Sequence, residues 1–193
     1  MSTSPEHALA QSALLDATER LVYSGGIHAT SMDAIVKTSG VSRKAIYHQY
    51  STKEALVEAA LLRRDERWMQ WFVNETSHSV DAVERLLSCF EALRSWFQSG
   101  SFHGCAFLNA AGEIGDTSNP IRAVSRLHKQ RLRDYLLTLT TATASTNPDE
   151  LADQFLVLID GAISVALIFG DTQAADTAER MARQLLATPS SCS

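Results

Sequence analysis

Three cysteines in 193 residues, at positions 89, 105 and 192 and with no Cys-x-x-Cys pair, are too few and too scattered to build on. An odd, widely spaced set encodes neither a disulfide framework nor a zinc ribbon, so the thiols are expected to be reduced. No uninterrupted apolar run approaches the roughly 18 residues of a membrane span, and MSTSPEHALAQ lacks the cationic and apolar blocks of a signal peptide. The expectation is a cytoplasmic protein with no membrane partner. Catalytic signatures are missing too: there is no GxGxxG, no P-loop, no HExxH and no nucleophile motif, so neither an enzyme nor a cofactor is expected. His103, Cys105 and His128 are too scattered to form a metal site, and none is expected. Sustained period-two alternation is absent as well, which removes half-buried strands and leaves an all-α chain.

Apolar residues make up 45% of the sequence and charged residues 20%, enough for one or two packed domains. The net charge of −5 argues against a nucleic-acid partner until its distribution is read. Residues 1–19 carry −3 and residues 54–193 carry −6, whereas residues 20–53 hold Arg20, Lys37, Arg43, Lys44 and Lys53 against Asp33 alone and carry +4. The basic charge is confined to one short segment.

Caps and breakers divide the chain into about nine helices. Ser4-Pro5 starts the first, which carries Leu14, Ala17, Leu21 and Val22 to a stop at Gly25-Gly26, over roughly 5–24. Ser31 caps a short second helix with Met32, Ile35 and Val36 inward, ended by Gly40 in the left-handed turn conformation. Ser42 caps a third over 43–49, and Ser51-Thr52-Lys53-Glu54 fits a capping box that opens a fourth to about Asn74. Further helices are expected over about 81–99, 105–114, 120–143, 148–169 and up to 187, before Pro189 and a polar tail.

The second and third helices, joined around Gly40-Val41-Ser42, have the spacing of a helix-turn-helix. Ile46 turns inward with Val41 and Tyr50, which leaves Arg43, Lys44, Tyr47 and His48 on the outer face. Cations at the start of such a helix suit guanine edges in the major groove, while ring hydroxyls and imidazoles suit phosphates. Lys53, at the start of the fourth helix, adds another candidate phosphate contact.

The segment TSMDAIVKTSGVSRKAIYHQYSTKEAL resembles the DNA-binding segment of the TetR family of bacterial transcription regulators. The resemblance rests on Thr30, Ser31, Ile35, Gly40, Val41, Ser42, Ile46, Tyr47, Tyr50, Lys53, Glu54 and Leu56 in order and spacing. It implies a DNA-binding head over 1–51, a ligand-binding and dimerisation domain over 52–193, and DNA contacts at Thr30, Ser31, Ser42, Arg43, Lys44, Ala45, Tyr47, His48 and Lys53. Val36 and Ser39 replace common alanines and Tyr50 a common phenylalanine. Gln49 and Lys44 also depart from the usual residues, so the operator sequence is not inherited from relatives.

The resemblance further implies a repressor that pairs as a homodimer on a palindromic double-stranded operator and is released by a small-molecule effector. The eighth helix is apolar around most of its circumference, more than one buried stripe requires, and the expected interface residues are Phe155, Ile159, Ala162, Ala166, Phe169, Ala178, Met181 and Leu185. For the effector, Trp68, Trp71 and Phe72, then Cys105, Leu108, Asn109 and Gly112 along one stripe, then His128, Arg131 and Tyr135 supply apolar walls with a few polar groups. The same residues read equally as core and surface. Asn109 on an apolar face needs a partner, and Glu113 is similar but lies near a helix end. A Gly-Cys-x-x-x-Asn pattern, here Gly104, Cys105 and Asn109, recurs in a branch of the resembling family. A thiol at a helix start near His103 opens an alternative, a switch by oxidation or alkylation of Cys105. A helical carrier or enzyme with no DNA role is the more distant alternative.

Overall fold

The computed structural model describes residues 5–187; Ser4, Pro189 and Cys192 lie outside that range. Among the described residues there are nine helices and no strand: α1 Pro5–Gly25, α2 Met32–Ser39, α3 Arg43–Gln49, α4 Lys53–Glu75, α5 Ala82–Phe97, α6 Ala106–Glu113, α7 Pro120–Thr141, α8 Pro148–Phe169 and α9 Gln173–Ala187. The chain forms two compact units, one running to Glu66 and including Ala106–Leu127, the other made of Arg67–Cys105 and the chain from His128 onward.

In the first unit, Leu14, Leu15, Ile35, Ile46, Leu56 and Ala60 form a buried core, with Leu21, Met32, Val36, Val41 and Tyr50 packed at its edge. Each fully buried Leu or Ile contributes roughly 1.5–3 kcal/mol, which is what holds helices as short as α2 and α3. Because α4 lends Leu56, Val57 and Ala60 to the buried residues, the unit extends past the 51/52 boundary expected from sequence. Local chemistry sets the helix ends. Ser31 accepts from Ala34 N–H and Ser42 from Ala45 N–H, while Gly40, at φ 71°, turns its N–H onto Val36 O. The start of α4 differs from expectation: Thr52 Oγ1, not Ser51, accepts the Ala55 N–H, and the helix begins at Lys53. Adjacent hydroxyl residues are both competent caps, and the core residues Leu56 and Ala60 select the phase.

In the second unit α5, α8 and α9 pack on one another. Phe90 meets Phe155 with ring centroids 5.9 Å apart, and Ala174, Ala175, Ala178 and Ala182 make the buried side of α9. Arg94 of α5 donates to Asp176 and Glu179 of α9, and Lys129 and Arg133 pair with Asp160 and Asp153 of α8. Burial divides α8 into two sides. Phe155, Ile159, Ala162 and Ala166, expected at an interface, are buried in the chain's own unit, as is Ala178 of α9. The outward apolar residues are instead Val157, Val165, Leu167, Ile168 and Phe169, with Met181 of α9. Phe169 and Met181 are exposed, whereas Leu185 is half-buried. Apolarity on both sides also gives α8 an 18-residue window of mean hydropathy 1.9, long and apolar enough by composition alone to cross a membrane, which the reading of uninterrupted runs passed over.

Candidate nucleic-acid interface

The outward face of α3 is the best-defined polar surface of the first unit. Ile46 is 1% exposed and anchors the helix, so Arg43, Lys44, Tyr47 and His48, spaced around the other side, are all exposed. Ala45 is half-buried between the two faces. Arg43 is oriented by a 2.5 Å ion pair with Asp33 of α2, which also raises the guanidinium pKa and keeps it charged. Asp33 had no assigned role in the sequence reading; its position ten residues before Arg43, across a tight turn, was the available signal. Ser31 and Ser42 use their hydroxyls as caps.

Two expected contact residues are engaged elsewhere. Thr30 is 5% exposed, and its hydroxyl donates to Gly26 O at 2.7 Å. Lys53 is half-buried and donates from Nζ to Ile27 O at 2.6 Å. Both therefore brace the loop that leads into α2, Thr30 through a local bond four residues back and Lys53 through one that spans 26 residues and carries no local signature. The same loop is held from its other side by Glu113 of α6. Its Oε1 accepts from Ile27 N–H at 2.8 Å and its Oε2 from His28 N–H at 2.9 Å, while His28 Nε2 lies 3.0 Å from Glu113 O.

The residues expected around an effector belong to both units. Trp68 stacks on Phe72 at 4.8 Å and meets Trp71 at 5.8 Å and His128 at 5.0 Å, while Phe72 lies 6.1 Å from Tyr135. Trp96, which the sequence reading did not include, completes the group 5.8 Å from Trp68. The Trp68 indole N–H is buried and has no hydrogen-bond partner. Tyr135 is held by Thr76 and Arg85, and Arg131 is exposed. Leu108, Asn109 and Gly112, expected along one stripe, are exposed because α6 buries Ala106, Phe107 and Ala110. Asn109 instead borders a cleft shared with Glu19, Tyr23, Arg64 and Glu113, with room for about one water molecule. Cys105 is 4% exposed, immediately before α6. Burial pushes the other described thiol, Cys89, up to about 12. Among the described residues no group of three or more His, Cys, Asp or Glu side chains is placed to hold a metal ion.

Comparison with known proteins places this geometry in context. Residues 14–60 match the family described as bacterial regulatory proteins, tetR family, and residues 82–182 match the tetracyclin repressor-like C-terminal domain. The HTH-type transcriptional regulator YjdC of Escherichia coli is 24% identical over 165 residues, covering 83% of this chain and 85% of that protein. UidR of Escherichia coli, also an HTH-type transcriptional regulator, is 36% identical over 78 residues, 39% of this chain and 40% of that protein. The crystal structure of SCO4454, a regulator from Streptomyces coelicolor, superposes with a TM-score of 0.86 at 24% identity over 93% of this chain and 95% of that one.

Proposed function

Because the chain belongs to the TetR family of bacterial transcriptional regulators, and is a DNA-binding regulator on that ground, we propose that it is a cytoplasmic repressor that grips a palindromic operator as a homodimer and is released by a small-molecule effector. The observation that carries the DNA-contact assignment is the exposed face of α3, where Arg43, Lys44, Tyr47 and His48 surround a buried Ile46. On this reading Arg43 and Lys44 read bases while Tyr47 and His48 contact phosphates. The functional division is a head over 1–51 and an effector and dimerisation domain beyond it. The second copy covers the outward side of α8, where Val157, Val165, Ile168 and Phe169 expose 45–76% of their surface. The effector lies against the aromatic group around Trp68, whose unpartnered N–H favours a ligand that brings an acceptor.

The test is selection of bound DNA from a random pool. Wild-type protein is expected to enrich an inverted repeat and to bind it with strong salt dependence. Simultaneous Arg43→Ala, Lys44→Ala and Tyr47→Ala substitution is expected to abolish specific retention; unchanged operator affinity would sink the assignment. The alternative input, modification of Cys105, has to reach a thiol that is 4% exposed. It predicts that peroxide or quinone releases DNA from wild type and not from Cys105→Ser.

A further inference from the structure

We propose that Glu113 is a positioning residue for DNA binding: its carboxylate, seated on the backbone N–H groups of Ile27 and His28, sets the placement of the helix-turn-helix from α6. Four observations converge on this short loop. The two carboxylate oxygens take separate backbone donors at 2.8 and 2.9 Å, a charge-assisted pair that fixes the direction of the loop as well as its distance. The bond is returned, since His28 Nε2 lies 3.0 Å from the last α6 carbonyl, an acceptor the helix itself leaves without a partner. Gly26, at φ +90°, makes the approach possible, because a Cβ there would fall 2.9 Å from Glu113 Oε1. Lys53 and Thr30 then hold Ile27 O and Gly26 O, so the Ile27 and His28 donors point to α6 while the two acceptors are taken by α4 and by the loop's own Thr30.

The consequence follows from where the loop leads. Three residues beyond His28, Ser31 caps α2, and α2 with α3 forms the helix-turn-helix. Ile27 is 3% exposed, so the loop is seated in the unit as well as tethered. The α6 end is itself held, because Arg122 of α7 donates to Ala111 O at 2.7 Å. A displacement of α6 is therefore delivered to the start of α2 through the Glu113 carboxylate, with the His28 ring on Glu113 O as a second link. That last step rests on the effector reading above; the positioning role in the effector-free protein does not.

The variants are Glu113→Gln, which keeps one acceptor oxygen and loses the charge, and Glu113→Ala. Both are expected to retain helical content by circular dichroism while amide exchange in the 26–30 segment accelerates. Operator affinity is expected to fall by about tenfold or more for alanine and less for glutamine, the size of one lost charge-assisted interaction. The slope of log affinity against log salt should stay at the wild-type value, since Glu113 is seated on backbone N–H groups and adds no cation to the DNA-facing side. Unchanged affinity, unchanged exchange in 26–30, or a general loss of helix in both variants would each overturn the proposal. If wild-type protein selects no operator, the regulator assignment fails, and exchange in the loop still decides whether Glu113 positions it.

Discussion

Helices α3 and α8 solve opposite problems. The first has seven residues, one buried anchor in Ile46, and a polar outer face that stays in water at no cost. The second has 22 residues, a full core side through Leu151, Phe155, Ile159, Ile163 and Ala166, and a second apolar side left uncovered. A surface of the first kind attracts a charged partner over distance and answers to salt. A surface of the second kind is favourable only once another apolar surface removes it from water, so it answers to concentration. Salt is therefore the control for a partner of the α3 face, and concentration for a partner of the outward side of α8.

The largest effect separates the two sides of α8 itself. Phe155→Ala empties a site that is 0% exposed beside Phe90 and should cost about 3–5 kcal/mol in denaturant unfolding, at every protein concentration. Placing carboxylates on the other side, Ile168→Asp with Phe169→Asp, should leave that concentration-independent part intact. It should weaken self-association by at least about two orders of magnitude, because an unpaired charge would have to be desolvated in the interface. Analytical ultracentrifugation over a dilution series reads this directly. Sedimentation identical to wild type would remove α8 from the dimer proposal.

The contrast also explains what could be read without coordinates. All nine helices were legible because their ends depend on neighbours in sequence: Ser42 before α3, Gly40 after α2, Asn147-Pro148 before α8. The faces of α3 were legible because a strongly amphipathic helix has one way to bury itself. The faces of α6 and α8 were not. When apolar or small residues surround the axis, rotation is decided by which neighbours arrive, and α6 buried Ala106, Phe107 and Ala110 in place of Leu108 and Gly112. The loop bonds of Lys53 and Glu113 span 26 and 85–86 residues, and no periodicity encodes a contact of that range.

A smaller effect tests the interior of the second unit against its surface. Cys89 is fully buried and burial pushes its thiol from an ordinary value near 9.0 up to about 12, so the folded chain keeps a proton that the unfolded chain releases. The resulting stability is fully present below pH 9 and is lost as pH rises between 9 and about 12. At pH 10 the loss should be on the order of 1 kcal/mol. Tyrosines and lysines titrate in the same window, so the measurement is the difference in slope between wild type and Cys89→Ala. Equal slopes would mean that the thiol does not contribute.

The smallest effect on stability returns to the head, where the charge pair between Asp33 and Arg43 is solvent-exposed, with side-chain exposures of 88% and 48%. Such a pair holds little folding energy, so Asp33→Ala should leave the melting temperature unchanged. Its consequence is for the partner: Asp33 holds the Arg43 guanidinium on the α2 side and places a negative charge beside the face proposed to meet DNA. Removing it frees Arg43 to neutralise a phosphate, so non-specific affinity should rise and the salt slope should steepen by about 0.9 per head. Base preference should relax at the position Arg43 reads, since a bidentate contact requires a fixed fork. A slope and a base preference both identical to wild type would show that the pair neither restrains nor aims Arg43, and would leave Lys44 as the cation that distinguishes the face of α3 from the uncharged side of α8.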